Sequence, residues 1–381
     1  MNYCGLTLLI LTFLLLPFQQ APAQQAQADS VVYAYLPYVK FDSDIGFEAG
    51  LSLNRYHYDR QIHPFRNLFE LRTRATTGGL FGTRLAWEMA EPFAISLRSR
   101  FEFIGERQLN DIFFLPGNDT PFDQDLWDAD HHFFDALGFE LTYTGRYPLL
   151  PDADTRFDLL LLTGGITREA FDEDQNEALI HRELPYGYHG GWFVYAGTGL
   201  LFDSRNNEFD PRQGNYSRIE VTASPGLLIS EHQMLLFQAE SSQFYSPSFS
   251  DDFTIAARLK TSFASGDVPF WMLPQIGGEG TVRGYPAGRF RDNAAIITNL
   301  ELRNWLLSFD FLNLRFGLTA FSDSGRVYDT RPEFSDLFSD FHRTWGGGPI
   351  VSAFTRDFIV RAQIGRSDEI SRIYMNIGFT F

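Results

Sequence analysis

Cysteine is almost missing from this sequence. Cys4 is the only one, so the chain beyond it can form neither a disulfide framework nor a cysteine-based metal site. Long apolar runs are missing too. The longest, Leu6 to Phe18, falls short of the ~20 residues a membrane helix needs, and no later segment approaches that length, which excludes a helical membrane protein. Basic residues are outnumbered, with 31 Lys and Arg against 48 Asp and Glu and a formal charge of −17. Phosphate neutralisation demands a basic surface, so a general nucleic-acid binder is excluded. Acidic loops at a cell surface fit the charge, as does a merely solvated acidic surface. Catalytic signatures are absent: there is no G-x-S-x-G, no H-E-x-x-H and no phosphate-cradling Gly-rich loop. The sequence predicts neither an enzyme nor a cofactor.

Met1 to Ala28 carries no charged side chain. Its short apolar run is followed by Ala21-Pro22-Ala23 and Ala26-Gln27-Ala28, either of which meets the small-x-small rule for signal peptidase. Residues 1–28 therefore read as an export signal that is removed. Cys4 lies upstream of the apolar run, where no lipoprotein cysteine would sit. Residues 29–381 read as one domain with no linker, low-complexity tract or long-period repeat.

Aromatic residues are abundant, with 39 Phe and 16 Tyr against 5 Met, and they recur at alternate positions in short segments. At the end of the chain Ile373, Met375, Ile377, Phe379 and Phe381 alternate with Arg372, Tyr374, Asn376, Gly378 and Thr380. Such a strand is apolar toward lipid and polar toward a wet lumen, and it stops on an outward Phe381 that reads as a C-terminal signal. Phe93, Ile95, Leu97, Phe101 and Phe103 alternate with Arg98, Arg100 and Glu102 in the same way. Charges spaced so would be buried in a soluble sandwich but can line a hydrated lumen.

Sixteen such segments are predicted: 31–41, 45–57, 67–77, 80–90, 93–105, 133–145, 156–169, 189–203, 215–227, 231–244, 251–264, 293–307, 312–322, 343–354, 357–366 and 371–381. The predicted fold is all-β, a 16-stranded antiparallel transmembrane β-barrel in the outer membrane of a Gram-negative bacterium, in contact with its lipid. If the first strand runs outward, the four long connections, 106–132, 170–188, 265–292 and 323–342, all fall outside. The longest inner connection, Ser204 to Gly214, is much shorter. Outer-membrane barrels have this asymmetry, and a miscounted strand would scramble it.

Among the loops, His131-His132 and the acids Asp119, Asp123, Asp125, Asp128 and Asp130 lack the spacing of a metal or calcium site. The segment Gly277 to Asp292 is more informative. It holds five Gly, one Pro, and Arg283, Arg289 and Arg291, a compact positive loop able to take unusual backbone angles. Glu301, in phase with Asn299 and Arg303, and Asp323, in phase with Arg315 and Thr319, face the lumen on neighbouring strands. Arg283 folded inward is placed to pair with either or both, its planar fork suiting bidentate contact. The same composition also suits a solvated surface loop.

Val282-Arg283-Gly284-Tyr285 resembles the V-R-G-[FY] signature of the BamA/TamA-type bacterial surface antigen superfamily of sixteen-stranded barrels. Gly277-Gly278-Glu279 precedes it, Glu301-Leu302-Arg303 follows, and Phe321-Ser322-Asp323-Ser324-Gly325 resembles F-x-D-x-G. Upstream, the turn from Asp203-Ser204-Arg205 through Pro211 to Gly214 resembles D-T-R-D-N-x-F-x-P-x-x-G. The resemblance is dense from about residue 200 onward. It implies a loop folded into the lumen, with Arg283 paired to Asp323 and Glu301. Family members carry polypeptide-transport-associated domains before the barrel, and this sequence reads as a member without them. The implied function is insertion or translocation of polypeptides with a periplasmic or outer-membrane partner protein. The alternatives are a passive or gated pore plugged by the Arg283 loop, and a structural surface antigen.

Overall fold

The computed structural model describes residues 30–381 except 61, 63, 93–94, 151–154, 172–176, 227–229, 249, 251 and 330–335. The expected export signal lies outside the described residues. Sixteen strands form the wall. They are β1 (Ser30–Asp42), β2 (Gly46–Tyr58), β3 (Asn67–Thr76), β4 (Leu80–Ala90), β5 (Arg98–Ile112), β6 (Phe133–Pro148), β7 (Arg156–Phe171) and β8 (Trp192–Asp203). The second half comprises β9 (Gly214–Pro225), β10 (Gln233–Tyr245), β11 (Phe253–Gly266), β12 (Ala294–Phe309), β13 (Leu314–Tyr328), β14 (His342–Ser352), β15 (Ile359–Arg366) and β16 (Ser371–Ile377). Each pairs antiparallel with its neighbours, and β16 returns to β1 to close the barrel. Closure leaves no long run of unpaired backbone facing lipid except at the point where the two ends meet.

Alternation sets the two faces. On β12, Leu300 is 46% and Leu302 39% exposed on the outside, while Glu301 between them is fully buried within. Lumen-facing charges pair across strands: Arg84 with Glu102 at 2.6 Å, Arg100 and Arg146 with Glu88 at 3.1 Å, Lys40 with Glu48 at 3.2 Å, and Arg74 with Glu106. Opposite charges on adjacent strands, and in the Arg146–Glu88 and Arg74–Glu106 pairs two strands apart, support each other in this way. Long connections leave one rim, at 113–132, 172–191, 267–293 and 329–341, and the longest at the other rim is 204–213.

Three strands depart most from the sequence reading. β13 starts at Leu314 and runs on to Tyr328, and does not span 312 to 322. β5 runs from Arg98 to Ile112 and not from 93 to 105. Phe93 lies outside the described residues, and Ile95 and Leu97 belong to the turn before the strand. Apolar alternation marks only the lipid belt, whereas the ladder continues past it through Gln108 and, after a bulge, Asp111. β16 stops at Ile377. Gly378 takes φ +82°, and its N–H donates to Ile359 O at 2.8 Å. From that bend the chain turns inward. Phe379 lies 3.8 Å from the Arg303 guanidinium and packs on the cluster of Trp305, Ile350 and Ile359. Arg303 Nη2 donates to Phe381 O at 2.8 Å. Phe379 and Phe381 thus sit among lumen arginines, with Arg258 4.8 Å from the Phe381 ring. Cation–π contact and guanidinium donors hold there what lipid was expected to hold.

The ends of the sheet meet loosely. β1 pairs with β2 from Ser30 to Asp42, but with β16 only at Phe41–Met375 and Asp42–Tyr374. The β1 edge from Ser30 to Lys40 has no ladder partner on that side among the described residues.

Candidate functional site

The loop between β11 and β12 enters the lumen as a hairpin. Gln275–Ile276 pairs with Phe290–Arg291, and Gly277 and Gly278, both at positive φ, begin the bend. Val282 is fully buried in an apolar cluster with Ile276, Phe290, Ala295, Ile297 and Val327. Gly325 on β13 lies directly beneath it, where an added Cβ would come 2.8 Å from Val282 Cγ2.

Arg283, fully buried, follows. Its Nε and Nη2 donate to the two Asp323 oxygens at 2.7 and 2.8 Å, and its main-chain N–H donates to Asp323 Oδ2 at 3.1 Å. Nη1 donates to Glu301 Oε2 at 2.7 Å and to Gln363 Oε1 at 3.2 Å. The guanidinium lies 3.5 Å over the Phe321 ring. Glu301 also accepts from Arg303 Nε at 2.8 Å, and Arg361 pairs with Glu279. Charges this deep persist only when each has partners with good geometry.

Gly284 brings two backbones together. It has φ +107°, and a Cβ on it would lie 3.0 Å from the Arg366 backbone. Its N–H donates to Tyr374 Oη at 2.9 Å, and its carbonyl accepts from Ser367 Oγ at 3.1 Å. Tyr285 Oη donates to Asp368. The hairpin is thereby tied to β15, β16 and the turn between them.

The loop 113–132 covers this arrangement. Gly117 N–H donates to Arg291 O at 2.8 Å. Arg289, which forks onto Glu369 at 2.7 and 2.6 Å, also donates to Thr120. A short helix, α1 (Gln124–Asp128), is capped by Asp123. That role and the stacking of His132 on Phe114 at 4.3 Å account for two of the loop residues that the sequence left open.

The other predicted constellation lies at the opposite rim, apart from Arg283. Asp203 accepts from Arg205 Nε and Nη2, both at 2.9 Å, and Arg205 covers the Tyr216 ring at 4.7 Å. Asn206 and Asn207 side-chain oxygens close the turn on Arg212, Gln213, Phe209 and Asp210 amides. Pro211 is buried, and Gly214 takes φ +108° where β9 begins. Asn207 Nδ2 reaches across to Asp357 at 3.1 Å, so the turn lies partly under the barrel mouth.

Sequence reasoning put Tyr374 on the lumen side without giving it a role and missed Arg361 and Gln363; all three face the loop. The alternation of β15 and β16 held that information, since each is in phase with buried neighbours. It also missed the Asp44–Arg372 ion pair, for which no periodicity gives a signal.

The lumen is unevenly filled. The loop hairpin and residues 378–381 occupy the side of β11 to β16. Along β6 to β10 there is a cavity of about 350 Å³ with Glu140, Tyr143, Tyr195, Arg218, Glu220 and Gln238 among its lining. A second, of about 140 Å³, lies beside Lys40, Glu48, Arg74 and Glu106.

The barrel is similar in fold to BamA from Haemophilus ducreyi lacking POTRA domains 1–3, with TM-score 0.63 and 13% identity over 92% of this chain and 70% of that one. It is also similar to CdiB from Escherichia coli (TM-score 0.60, 12% identity, 94% and 64%) and to CdiB from Acinetobacter baumannii (TM-score 0.52, 10%, 92% and 66%). The chain therefore spans about two thirds of the length of these proteins. No curated protein matches the sequence. The family profile described as the Omp85 superfamily domain matches residues 137–381. With that match covering well over half of its length, the chain belongs to the Omp85 superfamily of outer-membrane β-barrels.

Proposed function

We propose that this barrel aids the insertion or translocation of polypeptides at the outer membrane, in concert with a periplasmic or outer-membrane partner protein. The observation that carries this reading is the β1–β16 seam, paired among the described residues only at Phe41–Met375 and Asp42–Tyr374. The free edge of β1 from Ser30 to Lys40 can add a strand from another chain, because unpaired N–H and C=O groups template such pairing. Pro37 lies in that stretch and suits a lightly paired edge. In this reading the Arg283 cluster fixes the loop so that the β12–β16 side of the barrel stays rigid while the seam opens.

The test is insertion of an outer-membrane barrel client into liposomes holding this protein. We expect a gain over empty vesicles that a disulfide between Phe41→Cys and Met375→Cys removes and reductant restores. No gain, with or without membrane extract to supply a partner, overturns the reading.

A second reading, a gated pore plugged by the Arg283 loop, is favoured by the unfilled lumen along β6 to β10. Steady conductance in planar bilayers that rises in Arg283→Ala supports it.

A further inference from the structure

Three segments of chain converge on one carboxylate at the outer end of the seam. Asp44 sits in the turn joining β1 to β2. Its Oδ2 accepts from the main-chain N–H of Ala287, in the lumen loop, at 3.1 Å. Its Oδ1 pairs with Arg372 on β16. The Asp44 and Arg372 side chains are 5% and 8% exposed, and Trp127 of α1 lies 5.0 Å over the Arg372 guanidinium. Ser43 completes the junction, its N–H donating to Ile373 O at 3.0 Å and its Oγ accepting from Ile373 N–H at 2.8 Å.

The loop is held to the two sides of the seam very unequally. Toward β15 and β16 it is bound through Gly284 to Tyr374 and Ser367, through Tyr285 to Asp368, through Arg289 to Glu369, and through Glu279 to Arg361 and to Asn376, the last at 2.7 Å. Toward β1 its hydrogen bonding among the described residues is the single contact from Ala287 to Asp44. When β1 and β16 separate, the loop must travel with β16, and the contact that breaks is the one at Asp44.

We propose that Asp44 is a latch through which the lumen loop holds the β1–β16 seam shut. The ladder there is two residue pairs long, so a buried, charge-assisted junction beside it contributes a large part of what closes the outer end. Coupling of this kind is reciprocal: loosening the loop weakens the seam, and separating the seam removes one hold on the loop. The proposal rests on the seam being the part of the barrel that opens, as read above.

The experiment measures how fast a disulfide forms between Phe41→Cys and Met375→Cys under mild oxidant, in purified barrel in liposomes with no client present. Backgrounds are otherwise unchanged, Asp44→Ala, Arg283→Ala, and both together. Folding of each is checked by heat-modifiable gel mobility. We expect trapping to slow at least threefold in either single variant and no further in the double variant, because both act through the same connection. Unchanged trapping in Asp44→Ala, or effects of the two variants that multiply, overturns the latch. If Asp44→Ala does not fold, Asp44→Asn carries the test. It retains an acceptor for Ala287 but loses the charge pair with Arg372, so trapping slows, and an unchanged rate counts against the proposal. Because no client is present, failure here is distinct from failure of the insertion assay.

Discussion

Arg283 grips Asp323 three times, twice through its guanidinium and once through its own main-chain N–H. The last contact ties the loop's backbone, and not only a side chain, to β13. Asp323→Ala strips the guanidinium of its bidentate partner and leaves that N–H facing a void. Breaking a buried pair from one side costs about 3–5 kcal/mol. The expected outcome is a lower temperature for loss of the compact gel band, with Arg283→Ala/Asp323→Ala less destabilised than the sum of the single variants. Additive losses would show that the two residues act independently.

Gly365 and Gly284 lie back to back. A Cβ on Gly365 would meet Gly284 N at 2.9 Å and Arg283 C at 3.0 Å, and backbone cannot yield as a flexible side chain can. Gly365→Ala should push the hairpin off β15 at a cost of about 1–3 kcal/mol. A cysteine at Gly280, where an added Cβ meets nothing within 4 Å, reports the displacement through faster maleimide labelling. An unchanged rate means the hairpin does not depend on this approach.

Gly378 supplies the bend that turns residues 379–381 inward. Valine there resists φ +82° and should let β16 continue in extended form. Trapping between Val39→Cys and Ile377→Cys, which the β1–β16 register would pair next on the face of Phe41 and Met375, should then quicken severalfold. No change would mean the bend is held by Arg303 on Phe381 O and by Arg361, whose Nε donates to Gly378 O at 2.7 Å, alone.

His132 is placed to make the 113–132 loop sensitive to pH. Burial against Phe114, helped by nearby His131 and Arg289, pulls its pKa below the ordinary histidine value. A group depressed in the fold favours its neutral form there. Its stabilisation is complete above the unfolded pKa of ~6.5 and is lost as pH falls through the folded one. Limited proteolysis of the 113–132 loop should therefore quicken in mild acid, and His132→Phe should abolish that acid response. Cleavage that is equally pH-dependent in the variant would assign the effect elsewhere.

Strand phase explains what was readable in advance. Glu301 and Asp323 fall on the inner face because Leu300 and Leu302, or Phe316 and Leu318, claim the outer one, and period two leaves no other choice. The count of sixteen came from the alternating segments and was supported by rim asymmetry, which a miscounted strand would have scrambled. Phase failed where lipid stopped dictating it. β5 extends past the apolar belt on ladder bonds alone, and Phe379 and Phe381 keep a perfect alternation yet turn in, because the Gly378 bend and the lumen arginines outweigh periodicity. Asp44 was invisible for a different reason: its partners lie 243 and 328 residues away along the chain, and no local pattern encodes them.

The uneven lumen makes the barrel mechanically two-sided. A packed tube resists flattening, and an empty one yields. From β11 to β16 the wall is braced from within by the hairpin and the inturned tail, and along parts of β6 to β10 by apolar loop residues such as Phe270 and Met272. Among the described residues no buried apolar cluster backs β1 to β4, which rest on their own ladder and on charge pairs between strands. Any squeeze from the surrounding bilayer is thus taken up on the unbraced arc. That arc begins at β1, so flattening it pulls on the one joint where the sheet is shortest.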